Sequence, residues 1–357
     1  MALLEVEHLN KSFGATSVLK DISFSLDEGH SVAIIGSSGS GKTTLLRCLN
    51  FLETPGAGRI TVAGETLYDG TAVTDEHALR QKRLHFGLVF QSFNLFPQYT
   101  ALENVTLAVK LREPSKAKWA AIDAHGLELL ERMGLADRAK HYPHQLSGGQ
   151  QQRAALARLF ASEPECLLLD EPFSALDGYL RWEMELELTD FLREFPGPAV
   201  LVTHDRGEVY RMCRQACVLD HGRSEPEREV KALFQAPDTL SACLLSGCKN
   251  VSRARRAGEG RVEALDWGVT LDVAGPVPPE LDHVGIRAHF ITPGPGPNPI
   301  PCRVERVVED VFSTVVMLTA SGPERLRMEL SKEGWEALGE PDRLTVSVKP
   351  EDIMLLK

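Results

Sequence analysis

The sequence predicts an α/β fold, a mostly parallel sheet with an inserted helical subdomain, followed by a smaller all-β domain. Three observations predict it. The apolar run Ser31 to Ile35 feeds into a glycine-rich loop, GSSGSGKTT at Gly36 to Thr44, which opens a helical stretch. Further apolar runs, Cys166 to Leu169 and Ala199 to Val202, alternate with helical patterns, as expected of parallel strands buried on both faces. Beyond Ser246 the composition changes and period-two runs take over.

In order along the chain, Leu3 to Val6 and Ile22 to Leu26 read as strands, Ser31 to Ile35 as a buried strand, and Lys42 to about Phe51 as the helix after the glycine loop. Lys116 to Met133 is helical by period, because Ile122, Leu129, Leu130 and Met133 fall on one face. It belongs to the helical subdomain, about 92–160. Gln151 to Ala161 is a helix leading into the Cys166 strand, and Ala199 to Val202 ends at Thr203-His204-Asp205. A last helical segment spans about Glu227 to Phe234, so the larger domain is placed at 1–240 and the smaller at 246–357.

The tail carries a weak internal repeat, with halves at about 250–292 and 301–357. Arg261-Val262-Glu263 recurs as Arg303-Val304-Glu305, and Val284 to His289 recurs as Val346 to Glu351. The proline-glycine tract Pro293 to Pro301 separates the halves, and an insert at about Leu326 to Leu338 is expected to be helical.

A chain of 357 residues exceeds one ordinary core. Its 43 % hydrophobic and 25 % charged residues exclude the disordered and fibrous classes. The longest apolar runs are strand-sized, well below the ~20 residues of a membrane span, so the chain is not expected to cross a bilayer. Glu5 and Glu7 sit where a secretory signal would need a basic start and an unbroken apolar core. The seven cysteines form no CxxC and no ligand-spaced quartet, which points to reduced thiols rather than zinc. A net charge of −11 speaks against a broad nucleic-acid surface, and no nucleic acid is expected as partner.

The chemistry lies in three motifs. Gly36, Ser37, Ser38, Gly39, Ser40, Gly41, Lys42, Thr43 and Thr44 form a phosphate cradle: glycines let the backbone curl round an anion, and peptide N–H groups and the helix start converge on it. Lys42 then reaches the β/γ oxygens and the Thr43 hydroxyl is placed for Mg²⁺. Asp170 and Glu171 leave the end of a buried strand, Asp170 to hold Mg²⁺ and Glu171 to polarise the attacking water as a general base, an effect worth roughly 10²–10⁴ in rate. Ser147, Gly148, Gly149 and Gln150 start a second helix with open N–H groups but no lysine, half of an anion site that a partner's nucleotide would complete. A Gly-Ser turn, a solvated acidic strand end or a Gly-Gly helix entry would explain any one motif alone. Their occurrence together favours the nucleotide reading.

With GSSGSGKTT at 36–44, LSGGQ at 146–150 and CLLLDE at 166–171, the chain resembles an ATP-binding-cassette ATPase subunit over residues 1 to about 240. The resemblance implies ATP and Mg²⁺ as cofactors and catalytic roles for Glu171, His204 and Gln91. Gln91 matches the glutamine that senses Mg²⁺ and water, so the metal residues become Thr43, Gln91 and Asp170. It also implies that Asp177 is a D-loop residue and that His204 contacts the γ-phosphate. Phe13 falls at the adenine-stacking position, where a π face could contribute about 1–3 kcal/mol.

The segments Leu45 to Glu53 and Phe90 to Pro97 are similar to ATPases of polar amino-acid importers, in which the Phe93 to Tyr99 region receives a coupling helix of the membrane subunit. Val348 to Ile353 instead resembles the closing motif of the TOBE (OB-like) domain of sugar and of sulfate or molybdate importers, with Arg287 and His289 as candidate oxyanion contacts. The resemblance therefore implies a homodimer on the cytoplasmic face of the membrane, bound peripherally to permease subunits and served indirectly by an extracytoplasmic substrate-binding protein. Import of polar amino acids leads; oxyanion import with a sensing tail and a non-transport cassette acting on nucleic acid or ribosomes are the alternatives.

Overall fold

A computed structural model describes residues 2–71, 75–89, 94–174 and 178–357. The chain packs as two units, Met1–Val230 and Lys231–Lys357.

The first unit opens with a hairpin of β1 (Ala2–Phe13) and β2 (Thr16–Asp27), then β3 (Ser31–Ile35) and α1 (Lys42–Leu49). The hairpin β4 (Ala57–Val62) and β5 (Glu65–Tyr68), α2 (Glu76–Arg83) and β6 (Phe86–Val89) follow. Three helices come next: α3 (Ala101–Arg112), α4 (Trp119–Arg132) and α5 (Gly148–Ala161). The unit continues through β7 (Cys166–Asp170), α6 (Gly178–Glu194), β8 (Ala199–Val202), α7 (Arg206–Met212), β9 (Gln215–Asp220), β10 (Arg223–Ser224) and β11 (Arg228–Glu229) to the start of α8 (Val230–Gln235).

Strands β2-β1-β4-β5 form an antiparallel sheet, and β9-β3-β8-β7-β6 run parallel in a second sheet edged by β10 and β11. The parallel strands are apolar along their middles because both faces are covered; β7 and β8 are buried along their whole lengths. Leu4, Ile22 and Ile60 of the antiparallel sheet share one core with Val32, Leu168 and Val200 of the parallel sheet and with Leu45 and Leu49 of α1. In such a sheet a ligand binds outside the carboxyl ends of the strands. The segments after β3, β7 and β8 all leave from that edge.

The helical part packs closely. A Cβ at Gly126 of α4 would lie 2.5 Å from Thr106 Cγ2 of α3, so glycine sets that approach. The helix expected over Lys116 to Met133 is a 3₁₀ turn at Lys116–Lys118 followed by α4, and α5 begins at Gly148 rather than Gln151.

The second unit contains α9 (Leu240–Leu245), β12 (Asn250–Gly258), β13 (Arg261–Ala264), β14 (Val269–Asp272), β15 (His283–Ile286), β16 (Thr292–Pro293), β17 (Ile300–Glu309), β18 (Thr314–Thr319), β19 (Arg325–Leu330), α10 (Lys332–Ala337), β20 (Arg343–Ser347) and β21 (Ile353–Leu356). The break lies at Val230, ahead of the boundary expected at 240–246. Here α9 belongs with the tail, where Leu240 N–H donates to Lys357 O and Lys357 N–H to Asp238 O. Two five-stranded antiparallel sheets, β14-β13-β12-β15-β21 and β16-β20-β17-β18-β19, enclose one core containing Trp267, Ile286, Leu318 and Val346.

The repeat is physical at Val284 and Val346. Each lies in a strand followed by a capping basic residue, Arg287 or Lys349, then a 3₁₀ turn and a further strand. The halves exchange those last strands: β21 pairs with β15, and β16 with β20. The other proposed match is corrected. By position in the sheets β17 corresponds to β12, and β13 to β18, so Arg261 and Arg303 are not equivalent. Period-two strands with alternating charge look alike whatever their place in a sheet. The insert is corrected too, since Leu326 to Leu330 is strand and only Lys332–Ala337 is helical. Leu326 and Met328 alternate into the core, a period the helical reading overlooked.

Candidate nucleotide site

At the carboxyl edge of the parallel sheet, a cleft of about 360 Å³ is lined by Gly36, Gly39, Lys42, Thr43, Glu171 and His204 among others. The loop from β3 to α1 admits no side chain at Gly36, where a Cβ would lie 2.3 Å from the Leu219 carbonyl oxygen. Gly41 caps α1 at φ +106, a left-handed angle natural to glycine. Lys42 Nζ donates to the carbonyls of Gly36 and Ser37 at 2.8 Å, turning the ammonium back over the loop. Burial draws the Lys42 pKa below its ordinary value, against the opposing pull of Glu171 and Asp170.

The Thr43 hydroxyl donates to Asp170 Oδ1 at 3.4 Å. Burial raises the Asp170 pKa, opposed by that hydrogen bond and by Arg47 and Lys42, while Glu171 adds to the rise. Two hard oxygen donors side by side, one a desolvated carboxyl, suit a small divalent cation such as Mg²⁺. Ser40 Oγ is buried in the same loop with no hydrogen-bond partner among the described residues, as befits a cradle for an anion.

Glu171 holds a left-handed φ of +46, uncommon outside glycine. Its N–H donates to Val202 O at 2.8 Å, and its carbonyl accepts from Ser174 N–H and Oγ. The strained turn brings Glu171 Oε1 to 3.3 Å from Nδ1 of His204, which lies two residues past the end of the neighbouring strand β8. A carboxylate and an imidazole in contact beside a lysine-lined phosphate loop can orient a water for in-line attack.

Ser147 N-caps α5 in a reciprocal capping box with Gln150, donating and accepting at 3.0 and 3.4 Å. Ser147 and Gly148 are exposed, and a Cβ at Gly148 would meet nothing within 4 Å. Gly149 is buried. Among the described residues, none of Ser147 to Gln150 lines the cleft of its own chain. Phe13 is 45 % exposed at the end of β1, with Lys11 Nζ over one face at 4.7 Å. Ser37, Ser38, Ser40 and Thr44 lie where the loop places them; Gln91 and Asp177, and Phe93 with them, lie outside the described residues.

In the tail, Arg287 and His289 are the residues expected as oxyanion contacts. The Arg287 guanidinium donates to Phe234 O and to Ser246 O and Oγ, which engages three of its five N–H donors with the protein. His289 is exposed, its ring edge-on to Phe290.

Sequence reasoning missed four buried polar residues. Asn104, fully buried, bonds Phe96 N–H and the carbonyls of Phe96, Tyr99 and Thr100, shaping the loop before α3. Gln152 Nε2 donates to Pro172 O at 2.7 Å, tying α5 to the segment after Glu171. Thr203 and Glu208 support the His204 turn. The Asp205-x-x-Glu208 spacing marks a helix start in the sequence, but nothing in it says that the carboxyl turns inward.

A cleft built this way is that of a phosphate-loop ATPase. The family model for ABC transporters matches residues 19–174. L-cystine transport system ATP-binding protein TcyN of Escherichia coli (strain K12) is 42 % identical over 239 residues, 67 % of this chain and 94 % of the relative. Sulfate/thiosulfate import ATP-binding protein CysA of Thermosynechococcus vestitus (strain NIES-2133 / IAM M-273 / BP-1) is 33 % identical over 349 residues, 98 % of this chain and 96 % of the relative. A solved dimeric, post-hydrolysis ATP-binding cassette bound to ADP and Pi superposes with a TM-score of 0.56 at 33 % identity, covering 64 % of this chain and 98 % of that one. The chain belongs to the ABC transporter family. It binds ATP and is an ABC-type ATPase, with the α/β cassette and all-β tail that the sequence predicts. Among the described residues no helix is long and apolar enough to cross a membrane.

Proposed function

We propose that this chain is the ATP-hydrolysing subunit of an import system, working as a homodimer against membrane permeases on their cytoplasmic face, and that the cargo is a polar amino acid. One observation carries the mechanism: Lys42, Thr43, Glu171 and His204 line one cleft, with Asp170 hydrogen-bonded to Thr43, whereas the exposed start of α5 does not line it. Two copies in opposition would supply Ser147, Gly148 and Gly149 of one to the triphosphate held by Gly36 to Thr44 of the other.

Thr43 and Asp170, with Gln91, would hold Mg²⁺, which when bound screens the phosphate charge and orients the terminal phosphoryl group. Lys42 neutralises charge developing between the β- and γ-phosphates. Glu171 takes a proton from the attacking water, and His204, held against Glu171, steadies the γ-phosphate. Phe13 offers its free face to adenine. Closure is a population shift, because ATP makes contacts across the dimer that the open state lacks. A binding protein outside the membrane would deliver the cargo, and the loop around Phe96 and Tyr99 would receive the permease.

The cargo rests on the cassette, since relatives named for L-cystine and glutamine transport reach 42 % identity over 239 and 236 residues. A specific observation favours a second reading: a relative named for sulfate and thiosulfate import aligns with 98 % of this chain, tail included. The transporter reconstituted with its permeases and binding protein separates them. ATP turnover stimulated by cystine or glutamine and indifferent to sulfate supports the first reading, stimulation by sulfate or thiosulfate alone supports the second, and indifference to both contradicts import of either.

A further inference from the structure

The turn that carries His204 is held by buried polar groups that line no part of the cleft. Thr203, 2 % exposed at the end of β8, donates its hydroxyl to Glu208 Oε2 at 2.5 Å. The Thr203 hydroxyl oxygen also accepts the Asp205 N–H at 3.0 Å. One hydroxyl thus bridges the peptide just after His204 to a carboxyl one helical turn further on. Asp205 caps α7, accepting the Gly207 and Glu208 N–H groups at 2.7 and 3.3 Å. Two ion pairs fasten this turn to α6: Arg181 stands 3.6 Å from Asp205, and Arg211 pairs with the buried Glu185.

Glu208 is 3 % exposed, and the hydrogen bond it receives from Thr203 comes from a neutral hydroxyl. Burying a carboxyl on such terms is costly, and an apolar side chain would fill the space at less cost. Glu208 is therefore placed for a task other than packing.

We propose that Glu208 is a positioning residue for ATP hydrolysis: its carboxyl fixes the Thr203 hydroxyl, the hydroxyl fixes the His204-Asp205 peptide, and His204 is thereby kept in contact with Glu171. The inference rests on the reading of Glu171 and His204 as the hydrolytic pair. Because the chain of contacts runs through His204, its loss reduces turnover rather than ATP affinity, and does so only while His204 is present. The link to α6 gives the turn a rigid element to bear on.

The test is a double-mutant cycle on the full chain with its transport partners, reading kcat, KM, equilibrium ATP binding and melting temperature for Glu208→Ala, His204→Ala and the pair. Glu208→Ala is expected to lower kcat about 10- to 100-fold, the scale of a small misplacement of a reacting group, with ATP binding within about twofold of the native protein. The double variant is expected to be no slower than His204→Ala alone, because residues acting as one unit are not additive. Should Glu208→Ala fold poorly, the same cycle runs on Thr203→Val, with Thr203→Ser expected to retain turnover. Losses that multiply in the double variant, or native turnover in Glu208→Ala, overturn the proposal while leaving the site reading intact. Native turnover in His204→Ala overturns the site reading, and the proposal with it.

Discussion

Glu208 is the residue whose charge state the fold alters most plainly. Burial pushes its pKa from 4.5 up to about 7, and the neighbouring charges of Asp205 and Glu185 add to the rise against Thr203 and Arg181. A carboxyl with a raised native pKa favours folding below its unfolded value and loses that contribution as pH climbs through the native one. Between pH 4.5 and about 7 the native protein should lose at most about 3 kcal/mol of stability from this group. Urea melts of native chain and Glu208→Gln across that range check it: the variant's curve should lack this decline, and parallel curves would mean that Glu208 titrates in the native protein as it does in the unfolded one. Asp170 is raised by burial as well, yet it sits where a cation would hold it ionised, so its titration belongs to the metal rather than to folding.

At the scale of elements, the start of α5 decides whether the anion site is shared. Ser147 and Gln150 already satisfy each other through the capping box, so the helix needs no phosphate to be stable. Ser147→Arg should abolish steady-state hydrolysis by crowding a partner's phosphates, while ATP affinity of the isolated monomer stays within about twofold. A large fall in monomer affinity would place α5 at the nucleotide of its own chain. Both glycine-rich motifs were legible in the sequence because their chemistry is backbone chemistry: Gly36 and Gly41 are required by close approach and by φ. The alternation of apolar runs gave β3, β7 and β8 for the same reason, since strands buried on both faces tolerate little else. What stayed hidden depends on side-chain direction. Asn104, Gln152 and Glu208 look like surface residues in one dimension and are buried in three. Leu326 to Leu330 could pass for a helical insert until its pairing with β18 was seen.

For the whole molecule, the tail is a pair of interlocked halves rather than two beads on a string. Exchange of β16 and β21 makes each sheet depend on both halves, so the repeat visible at Val284 and Val346 describes one cooperative unit. Arg287 ties the α8 carbonyl of Phe234 and the α9 cap Ser246 to the end of β15, so an oxyanion bound there would share its guanidinium with the protein. The cassette's own logic needs a second copy, because one chain holds the phosphate loop, Glu171 and His204 in a cleft that its own Ser147 to Gln150 do not line. The most direct measurement is the molar mass in solution of Glu171→Gln, with and without saturating Mg²⁺-ATP, by analytical ultracentrifugation. The account predicts a stable ATP-dependent dimer that dissociates when nucleotide is removed; a monomer at every ATP concentration, with ATP demonstrably bound, would contradict it.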